Sequence, residues 1–195
     1  MKRVISIYIW LLFATGTVMA QEKNTFKKKY VNHTEFGGLF GRVKYGRANG
    51  SAEATERKVN VTAQMYHGVQ LTRTLSTGVT IGMDWYNTAL INPIALGARY
   101  DITRGENARL YASADAGYGF TWFHDDSQGF NTKGGLMVNP GLGIRYGKPG
   151  GAAFTIGLSW KRQEVEVVKP PFWGQVDRRE DRVYNRLDLK LGVSF

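Results

Sequence analysis

The chain has 195 residues, the length of one domain, and it carries 26 basic against 16 acidic side chains, a formal net charge of +10. It contains no cysteine, which excludes disulfides, thiolate metal sites and lipid attachment to a thiol. After residue 20, no apolar run approaches the roughly 18 residues that a membrane-spanning helix needs. Any passage of that part through a membrane therefore requires strands in a closed barrel.

The first twenty residues have the organisation of a secretory signal peptide. Two basic residues follow the initial Met, an apolar run covers 4–14, and the sequence Val-Met-Ala occupies 18–20. This pattern predicts cleavage after residue 20, with an uncleaved anchor helix as the alternative. Removal of the peptide leaves 24 basic and 16 acidic side chains, a net charge of +8. Residues 21–34, which begin with a lysine-rich stretch, are predicted to be a solvated lead-in to the folded domain, 35–195.

From residue 35 onward, apolar and polar side chains alternate in eight segments, the pattern of strands with one face of each kind. The alternation is strictest in the last segment, whose apolar face consists of Leu187, Leu189, Leu191, Val193 and Phe195. Polar or glycine-rich connections separate the segments, with the longest at 48–56, 124–133 and 164–182. Long and short connections alternate, apart from a short one at 87–88. The sequence thus predicts an all-β fold, an antiparallel eight-stranded up-and-down barrel.

Alternation alone does not decide which face lines the interior, because a soluble barrel of the lipocalin type would turn its apolar face inward. Two features favour the opposite arrangement, a transmembrane barrel. Glycines gather on the polar face, and the interior of an eight-stranded barrel has little room for large side chains. Aromatic residues lie on the apolar face near strand ends, where girdles meet lipid headgroups. The predicted girdle consists of Trp85, Tyr100, Trp122, Tyr146, Trp160 and Phe195.

An alternating final strand that ends on an aromatic residue, Phe195, resembles the closing strand of bacterial outer-membrane barrels. In those proteins the strand is the signal read by the assembly machinery. Over nearly all of its mature length, the chain resembles the small eight-stranded barrels of the OmpX and OmpA type. The resemblance implies residence in the outer membrane, contact with outer-membrane lipid, and both termini in the periplasm. Residues 21–34 would then be a periplasmic lead-in, and the longer loops would lie outside the cell.

Ten charged residues fall on the predicted inward face. A buried ion without a partner costs several kcal/mol, so these residues are predicted to pair across the lumen and plug it. The expected turns make inward neighbours of Lys161 and Asp188, and of Asp84 and Tyr66. A narrow pore biased towards anions is the alternative, although eight strands leave little room for one. The predicted network comprises Arg42, Lys44, Asp84, Arg99, Asp115, Arg145, Lys161, Arg186, Asp188 and Lys190. In the first strand, three glycines make the phase ambiguous, and the assignment of Arg42 and Lys44 adopts the phase that turns Leu39 outward.

One polar loop contains His124, Asp125, Asp126 and Ser127, which are the residue types of a nucleophile and its base. They are consecutive in the sequence and lack the strand-held geometry of a catalytic triad. The spacing from His124 to Ser127 also departs from the His-x-Ser motif of outer-membrane lipid A deacylases. Metal-binding motifs, phosphate-binding loops and a nucleic-acid stripe are absent. We predict no enzyme, cofactor, metal or nucleic-acid partner, with a lipid-modifying outer-membrane enzyme as the alternative.

Two aromatic residues, Phe172 and Trp173, fall in the predicted loop at 164–182. Exposed aromatic side chains in a loop suit contact with a partner or surface ligand. Folding back onto the barrel rim explains them equally well. The predicted role is non-enzymatic and lies in envelope structure, adhesion or partner binding through extracellular loops.

Overall fold

The computed structural model describes residues 29–45, 54–86, 89–124, 126, 131–148, 151–169 and 178–195, with the backbone alone at 42–45, 54–57, 169 and 178–180. Its strands are β1 (Tyr30–Tyr45), β2 (Ala54–Gln70), β3 (Leu75–Tyr86), β4 (Ala89–Asp101), β5 (Ala108–Phe120), β6 (Asn131–Lys133), β7 (Gly135–Gly147), β8 (Ala153–Lys169) and β9 (Arg178–Ser194). Within these ranges, no helix is long and apolar enough to cross a membrane.

The strands form one closed antiparallel sheet. Neighbours in the chain pair with each other, and β9 pairs with both β8 and β1. The short β6 lies along β8 next to the stretch that pairs with β7, so β6 and β7 are one barrel strand interrupted at Gly134. The fold is therefore the predicted eight-stranded up-and-down transmembrane barrel. Closure pairs His33–Phe40 of β1 with Leu187–Ser194 of β9, so the sheet has no open edge along this stretch.

The two ends of the barrel differ in their connections. Tyr30 and Phe195 lie at one end, the terminal end, together with the connections 71–74, 102–107 and 148–152. The opposite end, the loop end, carries the connections 46–53, 87–88, 121–130 and 170–177. Except for 87–88, each connection at the loop end is longer than those at the terminal end, as the sequence predicted.

The apolar faces of the strands point outward and the polar faces point inward. Trp122, Trp160 and Leu189 are 63%, 45% and 46% exposed on the outer surface. Asp115 and Lys190 are only 3% and 4% exposed, inside the barrel. This is the arrangement predicted for a barrel in hydrocarbon, and it is the reverse of a soluble lipocalin-type barrel.

The predicted phase of β1 is wrong. Leu39 is completely buried and Phe40 is exposed, whereas the sequence pattern turned Leu39 outward. Gly37 faces inward against β9, where a Cβ would lie 2.2 Å from the carbonyl oxygen of Leu189. Such close approach requires glycine at an inward position, which removes the polar side chain that would have marked the phase. The strand also begins at Tyr30, within the segment predicted as a lead-in.

Strands β8 and β9 extend far into the region 164–182 that was predicted to be a loop. The strand pairing continues there, but its polarity inverts. Val165 and Val167 face inward and are buried, while Glu164 and Glu166 lie on the outer face. Apolar side chains inside and charged side chains outside suit a hairpin in water, so this inversion explains why the membrane-type alternation fades after Gln163. Strands β2 and β6 likewise enter the predicted loops at 48–56 and 124–133.

The predicted pairing of inward neighbours is also corrected. Asp84 lies opposite Thr62, and Tyr66 lies opposite Thr80, because the turn at 71–74 comes earlier in the chain than expected. Lys161 lies directly opposite Arg186, so Asp188, which pairs with Ser159, is a diagonal neighbour of Lys161.

Candidate functional site

The barrel interior is filled by charged and polar side chains. Eight residues of the predicted network have described side chains, and all are buried: Asp84, Arg99, Asp115, Arg145, Lys161, Arg186, Asp188 and Lys190. The side chains of Arg42 and Lys44 lie outside the described residues. Sequence reasoning missed the inward-facing Glu35, Asp101 and Arg109. Asp101 and Arg109 continue the inward phase of their strands one step beyond the predicted boundary, which is the signal that could have found them. Glu35 lies within the predicted β1, on the face that the assumed phase turned outward.

A buried ion pair joins β3 and β8 across the lumen. The Nζ atom of Lys161 lies 2.6 Å from Oδ2 of Asp84 and donates a hydrogen bond to Oδ1 at 2.7 Å. The hydroxyl of Thr62 donates a further bond of 2.6 Å to Oδ1. The side chains of Lys161 and Asp84 are 1% and 0% exposed. Because β3 and β8 are not neighbours in the sheet, this pair spans the interior.

A second buried pair lies between β4 and β5. Arg99 donates two hydrogen bonds to Asp115, at 2.8 Å and 3.2 Å, in a bidentate arrangement. The hydroxyl of Thr80 adds a 2.6 Å bond to the same carboxylate. The guanidinium of Arg99 lies 4.4 Å from the ring centroid of Tyr66, within the range of a cation–π contact. Charge-assisted bonds of this kind are stronger than neutral ones and fix side-chain orientation.

Glu35 links β1 to three other strands. Its carboxylate accepts hydrogen bonds from Gln64 at 2.7 Å and from the hydroxyl of Tyr111 at 3.2 Å. The Nζ atom of Lys190 lies 3.9 Å from Glu35 and 3.4 Å from Asp188. This group ties β1, β2, β5 and β9 together through the centre of the barrel.

Nearer the terminal end, two arginines share one carboxylate. Arg145 and Arg109 lie 3.3 Å and 3.9 Å from oxygens of Asp101. The Nη2 atom of Arg145 also lies 2.9 Å from Nε2 of His33, whose ring makes an edge contact with that of Tyr111. Two cations therefore depend on a single acidic side chain at this level.

An apolar cluster, here called the apolar cap, lies at the loop end of the lumen. Tyr86 and Tyr184 stack within it, with ring centroids 4.4 Å apart and an interplanar angle of 18°. The guanidinium of Arg186 lies 6.0 Å and 5.5 Å from these two rings. The cap thus covers the polar network on the side of the loops. It consists of Leu39, Tyr86, Ala89, Ile91, Val165, Val167 and Tyr184.

Comparison with solved structures finds the same architecture. Neisserial surface protein A is similar with a TM-score of 0.54 and 13% identity, covering 87% of this chain and 98% of that one. OprG of Pseudomonas aeruginosa gives 0.55 and 13%, covering 85% and 93%. The N-terminal β-barrel domain of Pseudomonas aeruginosa OprF gives 0.51 and 19%, covering 87% and 98%. No protein-family model and no curated protein sequence matches the chain.

The chain has the fold of the small eight-stranded outer-membrane barrels. At these identities the likeness concerns the fold alone, and it agrees with the OmpX and OmpA type of barrel expected from the sequence.

The six predicted girdle residues of this outer-membrane barrel fold all point outward and are exposed. Tyr100, Tyr146 and Phe195 lie at or near the terminal end, and Trp85 and Trp122 lie towards the loop end. Trp160 lies in the middle of β8, because that strand continues beyond its predicted end to Lys169.

The histidine of the candidate catalytic loop has structural contacts. The Nδ1 atom of His124 accepts a hydrogen bond of 3.3 Å from the backbone N–H of Leu90, and its Nε2 lies 3.3 Å from Asp126. Asp126 in turn accepts 3.0 Å bonds from the backbone N–H of Thr132. These contacts tie the β5–β6 connection to the start of β4.

The remaining residues of the two candidate loop sites have no described position. Asp125, Ser127, Phe172 and Trp173 lie outside the described residues. Among the residues that are described, no group of three His, Asp or Glu side chains is arranged to hold a metal ion.

Replacing Asp84 with Ala leaves Lys161 as a buried cation without its partner. We expect the free energy of unfolding to fall by about 3–5 kcal/mol, measured by urea titration of the barrel in liposomes. The double variant Asp84→Ala/Lys161→Met removes both charges, so it should recover much of that loss. Glu164→Ala breaks an exposed pair with Arg162 at 3.0 Å and serves as the matched control, with an expected cost of at most about 1 kcal/mol. Equal losses for Asp84→Ala and Glu164→Ala would contradict a buried cross-lumen pair.

Proposed function

We propose that the mature chain resides in the outer membrane as a plugged, non-enzymatic barrel. Its role is in envelope structure, adhesion or partner binding, carried out by the connections at the loop end. Both termini then lie in the periplasm, and the outward strand faces, including the exposed Phe195, contact lipid. The fold shared with outer-membrane proteins supports this location, and so does the gathering of longer connections at one end. The closing strand β9 serves as the signal for the assembly machinery.

The observation that carries the proposal of a plugged lumen is the Lys161–Asp84 pair. It crosses the interior between non-neighbouring strands, and both side chains are almost completely buried. An ion passing through the barrel would have to separate this pair in a space with little water, at a cost of several kcal/mol. The apolar cap adds a second barrier on the same axis, because its stacked Tyr86 and Tyr184 offer few groups that can replace a hydration shell.

The β8–β9 hairpin is the structural support for a role at the loop end. Beyond Gln163 the outer face of β8 carries Glu164 and Glu166, and an ion pair of 3.6 Å between Lys133 and Glu166 braces the hairpin against β6. Its inner face joins the apolar cap through Val165 and Val167, so the hairpin is anchored to the barrel. The strands of this hairpin flank the connection 170–177, whose sequence includes Phe172 and Trp173.

Purified barrel reconstituted in planar bilayers is expected to show no steady single-channel steps, because the ion network and the apolar cap block the axis. The same purified barrel should release no fatty acid from outer-membrane lipid. The native barrel and the His124→Ala variant should therefore give the same background level of fatty acid. A steady anion-selective conductance would support the pore instead. Lipid hydrolysis that His124→Ala abolishes would support the enzyme.

Replacing residues 170–177 with a Gly/Ser linker of equal length should leave the barrel folded, as judged by heat-modifiable gel migration. In a strain lacking the native gene, this variant should fail to restore adhesion or resistance of the envelope to detergent, whichever the deletion impairs. The same replacement at 102–107, at the terminal end, is the matched control and should restore the phenotype. Full restoration by the 170–177 variant would contradict a role for that loop.

A further inference from the structure

The mouth of the lumen at the terminal end forms a pocket of about 320 Å³. Its wall comes from β1, β2, β5, β7 and β9, from residues next to the ends of these strands, and from Arg73 and Gly151 in the turns at this end. Four basic residues line it: Lys29, Arg73, Arg109 and Arg145. The volume lies at the lower end of the range for small-ligand sites, about 300–1,000 Å³.

The basic groups of this mouth are poorly compensated. Asp101 is the shared acidic partner of Arg145 and Arg109, and the second partner of Arg145 is the imidazole of His33, which brings no negative charge. The carboxyl-terminal residue Phe195 also lines the mouth, but one of its main-chain oxygens already accepts a 3.0 Å bond from the N–H of Asn32. Even if a terminal carboxylate on Phe195 is counted together with Asp101, the four basic residues of the mouth outnumber these two anionic groups.

Two donors of the arginines that line the mouth have no protein partner among the described residues. Within the described residues, the Nε atoms of Arg145 and Arg109 are buried and make no hydrogen bond. Arg145 is only 8% exposed, yet its side chain forms part of the pocket wall. A buried N–H group without an acceptor costs about 1–3 kcal/mol, so the hydrogen bonding of these two guanidinium groups is incomplete as well as their charge compensation. It differs from a surface lysine cluster, whose charges are fully solvated.

From this geometry we propose that the terminal mouth is a binding site for an anion of the phosphate type. A phosphate group offers several oxygen acceptors in a tetrahedral arrangement, which suits guanidinium groups that approach from different sides. The ligand is a small phosphate ester in solution or the headgroup of an anionic phospholipid, and the two share the same recognition chemistry. The site lies at the opposite end of the barrel from the loops, so the inference does not depend on their proposed function.

The first test titrates inorganic phosphate into the folded full-length mature barrel in a neutral maltoside detergent at fixed ionic strength. Isothermal calorimetry should show one saturable site per chain. Arg109→Gln and Arg73→Gln should each weaken binding about tenfold, the loss expected when one charge-assisted hydrogen bond is removed. Arg73 is exposed in a turn, so its variant tests the site even if Arg109→Gln impairs folding.

The matched control is Arg104→Gln, which removes the same charge from an exposed position in the 102–107 turn at the same end of the barrel. It does not line the mouth, so binding should change less than about twofold, as expected for a screened charge at a distance. Absence of saturable binding would overturn the proposal. An equal loss in Arg104→Gln and Arg73→Gln would do so as well, because it would indicate diffuse attraction by net charge.

The source of the phosphate is distinguished by competition. Short-chain phosphatidylglycerol is added to the same micelles before the titration with inorganic phosphate. If the lipid lowers the apparent phosphate affinity of the native barrel, and Arg73→Gln removes that competition, the site holds a lipid headgroup. If affinity is unchanged, the site takes a soluble phosphate-type anion from the aqueous side.

Discussion

The structure depends on the narrowness of an eight-stranded barrel that turns its polar faces inward. Side chains in such an interior have little water to solvate them, so each charge needs protein groups as partners. The Lys161–Asp84 and Arg99–Asp115 pairs meet this requirement with short bonds and added hydroxyl donors. The same contacts that satisfy the charges also fill the lumen. The network of ion pairs inside the barrel is therefore a consequence of this solvation problem.

The inversion of polarity along β8 marks a change of surroundings. Up to Gln163 the strand has the membrane pattern, with Leu158 and Trp160 outward and polar residues inward. Beyond it, Val165 and Val167 turn inward to form part of the apolar cap, and the outer face becomes charged. Strand β8 thus changes the polarity of its two faces along its length. The two ends of the lumen also differ in chemistry, with aromatic stacking at the loop end and guanidinium groups that share one carboxylate at the terminal end.

The sequence was sufficient for the fold and for the orientation of most strands. Alternation reports which face a residue occupies, so Leu189 and Lys190 were assigned correctly from their positions alone. It failed in β1, where Gly37 and Gly41 remove the side chains that would reveal the phase. It also failed beyond Gln163, because the rule that apolar residues face outward holds only within hydrocarbon.

The partners in the lumen were harder to predict than the faces. Pairing between neighbouring strands depends on turn position, and the early turn at 71–74 moved Asp84 away from Tyr66. Pairs across the interior depend in addition on the tilt and stagger of the whole barrel, which no local pattern contains. Glu35 was missed because the assumed phase of β1 turned Leu39, and with it Glu35, outward.

The orientation of the strand faces is tested most directly by spin labels on β9. The chain has no cysteine, so single cysteines can be introduced from position 187 to 191 and labelled in liposomes without background. The account predicts that labels at Leu187, Leu189 and Leu191 collide with oxygen dissolved in the bilayer, whereas labels at Asp188 and Lys190 are shielded. Shielded leucine positions with lipid-exposed labels at Asp188 and Lys190 would contradict it.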